Sequence, residues 1–88
     1  MVVKEITIKN RSGLQSKTAA VFIQKASNYK CSIWIEKGER KANAKSLLGL
    51  LSLGIGNGTR VSVIVEGEDE QKAAEELEAY LLSDLAEG

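Results

Sequence analysis

The chain is 88 residues long, enough for one small domain, 1–88, with a modest core and limited stability. Twelve Lys and Arg balance twelve Asp and Glu, so the basic surface that nonspecific nucleic-acid binding needs is absent. A histidine count of zero removes the commonest neutral-pH acid–base group, the commonest metal ligand and any phosphohistidine intermediate. No apolar run is long enough to cross a bilayer and no signal-peptide pattern opens the chain, so the expectation is a soluble cytoplasmic protein. The single cysteine, Cys31, has no partner for an internal disulfide or a metal site and reads as a small residue at the start of a strand.

Val2 to Lys9 alternates, with Val2, Lys4, Ile6 and Ile8 on one side and Val3, Glu5, Thr7 and Lys9 on the other. Period two with β-branched residues predicts a strand with one buried face. Asn10-Arg11-Ser12-Gly13 is a turn cluster. From Lys17 to Ala26, the spacing of Ala19, Phe22, Ile23 and Ala26 predicts one face of a helix that fades at Ser27-Asn28. Gln15 or Ser16 is the entry position, and Ser16 is the better cap by residue type. Cys31 to Glu36 is a second strand, with Ile33 and Ile35 facing one way and Trp34 the other. Lys37-Gly38-Glu39 is a hairpin turn into a short third strand, Arg40 to Asn43.

Next comes Ser46, standing before a leucine-dense segment that stops at Gly54. A serine there has the chemistry of a helix N-cap. A helix start also tolerates negative charge, because its first amides lack intrahelical partners and its dipole end is positive. A phosphate on Ser46 would sit where the backbone already accepts an anion, within reach of the amides of Leu47 and Leu48. The five leucines that follow cannot all face a core from one or two turns. Leu50 and Leu53, three apart, are the core-facing pair, which leaves an apolar surface beside a modifiable serine.

Gly54-Ile55-Gly56-Asn57-Gly58 lacks the G-x-G-x-x-G spacing of a nucleotide loop and leads into a strand, so it reads as a flexible loop with positive-φ positions. Thr59 to Glu66 is the fourth strand, with Val61, Val63 and Val65 alternating against Ser62 and Ile64. Glu68-Asp69-Glu70 place acids in the first turn of a last helix whose apolar stripe is Ala73, Leu77, Tyr80 and Leu81, with Ala74 beside it. Leu85 to Gly88 should fray. The order βαββαβα predicts an α+β fold, an antiparallel sheet with helices on one face. Trp34 and Ile64 then lie on the open face, where cross-strand packing accounts for them and self-association is the second reading. No acid–base pair, nucleophile–base pair or metal set is visible, so neither an enzyme nor a cofactor is expected.

Two motifs, Gly13-Leu14-Gln15-Ser16-Lys17-Thr18-Ala19 and Lys45-Ser46-Leu47-Leu48-Gly49-Leu50-Leu51-Ser52-Leu53, resemble the HPr family, and the resemblance spans essentially the whole chain. It implies an open-faced β-sandwich of four antiparallel strands with three helices on one face. The second motif is similar to that of HPr proteins of Gram-positive bacteria, whose serine is phosphorylated by an ATP-dependent HPr kinase/phosphorylase. In phosphocarrier members the first motif reads Gly-Ile/Leu-His-Ala-Arg-Pro-Ala, and its histidine carries phosphate from Enzyme I to sugar transporters. Here Gln15 holds the histidine position, Lys17 the arginine position and Thr18 the proline position. An amide nitrogen is not nucleophilic, because its lone pair is delocalised into the carbonyl, so Gln15 cannot accept a phosphoryl group.

Glutamine at that position with the serine kept is similar to the catabolite-repression branch of the family, the Crh-type proteins. This resemblance implies a corepressor of a LacI-type catabolite control protein, active once the serine is phosphorylated. It implies a docking surface of phosphorylated Ser46 with Leu47, Leu48 and Leu51, plus Gln15, Lys17, Ala20, Val21 and Gln24. Lys45 and Lys17 would supply positive charge near the phosphate. Lys17 lacks the planar fork of arginine, so weaker or differently oriented recognition is expected. Two other readings remain open: an HPr-related phosphotransferase component, and a scaffold that has lost phosphocarrier activity.

Overall fold

The computed structural model of the chain describes residues 1–9 and 13–83. Its elements are β1 (Val2–Thr7), α1 (Ser16–Ser27), β2 (Ser32–Lys37), β3 (Arg40–Asn43), α2 (Leu47–Ser52), β4 (Arg60–Glu66) and α3 (Glu70–Leu82). The strands form one antiparallel sheet in the order β1-β4-β2-β3. This is the expected βαββαβα arrangement, with β4, the last strand in sequence, inserted between β1 and β2. Of the expected turn at 10–13, residues 10–12 lie outside the described residues, as does the fraying expected at 85–88, while Gly13 has the positive φ of a turn at 67°.

Alternation builds the core. Ile6, Ile33, Ile35, Val61, Val63 and Val65 are buried on the helix-covered face of the sheet. Phe22, Ala19 and Ala26 of α1 and Ala73, Ala74, Leu77 and Leu81 of α3 close over them in one cluster. The α3 helix lies on β1 and β4, while α1 packs against both α2 and α3. On the open face Trp34 and Ile64 are cross-strand partners, and the Lys41 ammonium sits 5.0 Å from the centre of the Trp34 ring. That pairing is the cross-strand packing expected of these residues.

Three local features differ from expectation. Gln15, not Ser16, is the N-cap of α1. Thr18 decides this: the Gln15 N–H donates to Thr18 Oγ1 at 2.9 Å, and that hydroxyl donates to Gln15 O at 3.2 Å. The last helix starts at Glu70 with Asp69 as its cap, so Glu68 precedes it. Glu70 Oε1 accepts from Gly67 N–H at 3.0 Å and Oε2 from the N-terminal ammonium at 2.9 Å, which hold its carboxyl below the usual range. Strand ends shift by one or two residues, but Ile8 stays in register through Ile8 N–H to Thr59 O at 2.8 Å.

The α1–α3 seam carries a titratable pair. Tyr29 OH donates to Glu76, and this bond, with burial and the Glu76 charge, pushes the phenol up to about 12. The unfolded chain loses this proton near its ordinary value of 10.0, while the folded chain keeps it until about 12. The stabilisation is therefore fully present below the lower value and is lost as pH rises through that window. Tyr29→Phe should make the alkaline decline shallower, leaving the share due to Tyr80, which burial also raises. Urea unfolding across the same window checks this; an unchanged slope would contradict it.

Candidate functional site

Ser46 sits between β3 and α2 and is held by backbone on both sides. Its N–H donates to Asn43 O at 3.0 Å, and its carbonyl accepts from Leu50 N–H at 3.0 Å. Its hydroxyl caps α2, accepting from Gly49 N–H at 3.2 Å. The expected N-cap is thus present. Gly49 makes the fit close: a Cβ there would lie 3.2 Å from Ser46 Oγ and 3.3 Å from Ala42 Cβ. The serine is half-buried, and no acidic residue stands in the first turn of either α1 or α2. A negative charge on Ser46 therefore meets the positive end of α2 without a competing carboxylate in that turn.

The six-residue α2 divides its leucines sharply. Leu50 and the capping Leu53 are 1% and 2% exposed, the expected core pair. Leu47 is 39% exposed and Leu48 82%, with Leu51 half-buried between the two sets. At the other end the Lys37 ammonium donates to Leu53 O at 2.8 Å and Gly54 O at 3.0 Å, capping the carbonyls of the helix end. Gly54 turns the chain away at φ 64°.

The α1 and α2 helices run antiparallel. Leu14 N–H, just before α1, donates to Ile55 O, just after α2, at 2.9 Å. At the opposite end the Lys45 ammonium donates to Tyr29 O at 2.8 Å. Gln15 and Lys17 therefore lie toward the Gly54 end of α2 and Gln24 toward the Ser46 end. With α1 about 18 Å long, Lys17 stands just under three turns, about 15 Å, from the α1 end that faces Lys45. Lys17 therefore begins on the Gly54 side of α2, with Ser46 at the other end of that six-residue helix. Lys45 is adjacent in sequence, but its ammonium is taken by two backbone carbonyls, Tyr29 O and Cys31 O, the latter at 3.1 Å. Gln15, Lys17, Ala20 and Gln24 are exposed and Val21 is half-buried, so α1 presents a mixed surface beside the α2 leucines.

Two contributors to this geometry escaped sequence reasoning. Asn43 accepts from Lys45 N–H through Oδ1 at 2.8 Å, an Asx turn that asparagine before a helix start could have signalled. Lys37 offers no local signal, because its partners are sixteen and seventeen residues away. Cys31 is buried, and burial together with its hydrogen bond to Asp69 raises the thiol, as suits an unreactive strand-start residue. A shallow cavity of about 190 Å³ opens near Trp34, Asn43 and Lys45, and neither Ser46 nor Gln15 lines it. Among the described residues no three His, Cys, Asp or Glu converge as a metal site, and no helix is long and apolar enough to cross a membrane.

Comparison with known proteins agrees with this architecture. The HPr-like protein Crh of Halalkalibacterium halodurans is 47% identical over 81 residues, covering 92% of this chain and 96% of that protein. HPr of Thermoanaerobacter tengcongensis superposes with a TM-score of 0.94 at 41% identity, covering 100% of this chain and 99% of that one. A crystal structure of Bacillus subtilis Crh, described as a dimer with a swapped domain, has a TM-score of 0.75 at 43% identity over 92% of this chain and 93% of that one. The family described as PTS HPr component phosphorylation site matches residues 2–83. The chain therefore belongs to the HPr family.

Proposed function

We propose that this protein is a cytoplasmic regulatory adaptor switched by phosphorylation of Ser46. HPr kinase/phosphorylase would add the phosphate, and the modified chain would act as corepressor of a LacI-type catabolite control protein in carbon catabolite repression. One observation carries the reading. The α1 entry holds Gln15 in a chain with no histidine, while Ser46 remains a half-buried cap beside exposed leucines. The likeness to Crh proteins, one of them described as the catabolite repression HPr, supports it.

On this reading the chemistry is done on the protein rather than by it. Phosphorylation adds about −1.5 to −2 charges and three strong acceptor oxygens at Ser46. The partner supplies the cations, since Lys45 is engaged and Lys17 lies at the far end of α1. Leu47, Leu48 and Leu51 supply apolar area, and Gln15, Lys17, Ala20, Val21 and Gln24 extend the surface along α1. DNA is contacted by the regulator and not by this neutral chain.

Leu48 is the test residue, because it is 82% exposed and holds no part of the core. Leu48→Glu should weaken binding of the phosphorylated protein to the regulator by about tenfold or more, the scale of an interface hot spot. Its melting temperature should stay within a few degrees of wild type. Calorimetric titration of both proteins checks this, and unchanged affinity would count against the proposed surface.

A further inference from the structure

Lys45 is the cation next to Ser46 in sequence, yet its bonds point to another task. Its Nζ donates to Tyr29 O at 2.8 Å and to Cys31 O at 3.1 Å, the two carbonyls that bracket the corner between α1 and β2. Its own N–H donates to Asn43 Oδ1 at 2.8 Å. The residue before it, Ala44, is fully buried and bonds Ile33 O on β2 at 2.9 Å. Each residue of the short link from β3 to Ser46 is thus tied to a different part of the molecule. The α2 helix cannot do this work itself, since six residues are too few to hold a helix end in place alone.

We infer that Lys45 is a positioning residue for the modification of Ser46: its ammonium latches the β3–α2 turn onto the α1–β2 corner and so sets where the serine hydroxyl is presented. This rests on Ser46 being the modified residue. A phosphate ligand would need an ammonium free to turn toward the serine. Here two carbonyls already accept from it, and releasing them would leave part-buried acceptors without their partner. The latch joins elements fourteen to sixteen residues apart, so its loss would loosen the turn without removing any core side chain.

The test compares Lys45→Met, which keeps the stem and removes the donors, with Lys45→Arg, whose guanidinium still offers several N–H groups. Amide hydrogen exchange is measured on the unmodified proteins, and kcat/KM with ATP and HPr kinase/phosphorylase is measured on the same samples. Lys45→Met should speed exchange at residues 44–49 by about tenfold or more, as local opening becomes easier. It should lower kcat/KM by about tenfold through a misplaced hydroxyl, and Lys45→Arg should recover most of both. Once fully phosphorylated, Lys45→Met should bind the regulator as wild type does. Unchanged exchange in Lys45→Met would overturn the latch, and that arm needs no kinase, so it is read separately from the assignment of Ser46. Unchanged exchange and kinase rate with weakened binding of the phosphorylated form would make Lys45 a phosphate ligand and overturn the inference as well.

Discussion

Ser46→Ala should take up no phosphate from ATP and HPr kinase/phosphorylase, while the wild-type chain takes up one. The same change should lower folding stability by about 1 kcal/mol, the usual cost of an alanine at a serine N-cap. For a domain of this size that is a melting shift of roughly 4–8 °C. Both effects come from one oxygen, which accepts from Gly49 N–H and is also the only nucleophilic atom of the side chain. Ser46→Asp separates them. Aspartate caps as well as serine, so stability should return while phosphate uptake stays at zero. Intact-mass spectrometry and thermal melts read the two effects independently. Phosphate on Ser46→Ala would remove the residue from its proposed role.

Gly13→Ala should cost about 3 kcal/mol, a large loss for the addition of one methyl group. Gly13 has φ 67°, and an alanine held there costs about 1–2 kcal/mol before any contact is considered. The contacts add more: the new Cβ would lie 2.5 Å from Ile55 O and 2.6 Å from Gly56 Cα. Both atoms are backbone, so no side chain can swing aside, and overpacking of this kind costs about 1–3 kcal/mol. The neighbouring bond from Leu14 N–H to Ile55 O joins the start of α1 to the end of α2. Loss of that junction would disturb the surface that both helices share. Denaturant unfolding checks the value, and a loss below about 1 kcal/mol would mean the loop yields easily.

The fold was legible because its signals are local. Val61, Val63 and Val65 alternate over a short stretch, and all three are buried. Leu50 and Leu53 could be assigned to the core by spacing alone, and Ser46 by its place before an apolar run. What stayed hidden depends on side-chain partnerships that residue type alone does not express. Gln15 looked the poorer cap, but Thr18 completes a reciprocal bond that residue preference cannot express. Lys45 looked like a phosphate partner because it is adjacent to Ser46, whereas its hydrogen-bond acceptors lie fourteen and sixteen residues earlier. Lys17 looked close to the serine because both belong to motifs of one surface. The bond from Leu14 N–H to Ile55 O sets the start of α1, where Lys17 lies, beside the end of α2. Distance along a chain says nothing of which helix ends meet.

Two positions thus divide the chemistry of this fold. On the proposed reading Gln15 withholds the nucleophile that a phosphocarrier needs, and Ser46 keeps a hydroxyl at the start of a helix with exposed leucines alongside. The most direct test labels the wild-type chain in two ways. One sample receives ATP with HPr kinase/phosphorylase, the other phosphoenolpyruvate with Enzyme I, and both are read by intact mass and peptide mapping. One phosphate in the first sample, mapped to Ser46, and none in the second is the predicted result. Phosphate in the second sample, or at any residue but Ser46 in the first, would contradict it.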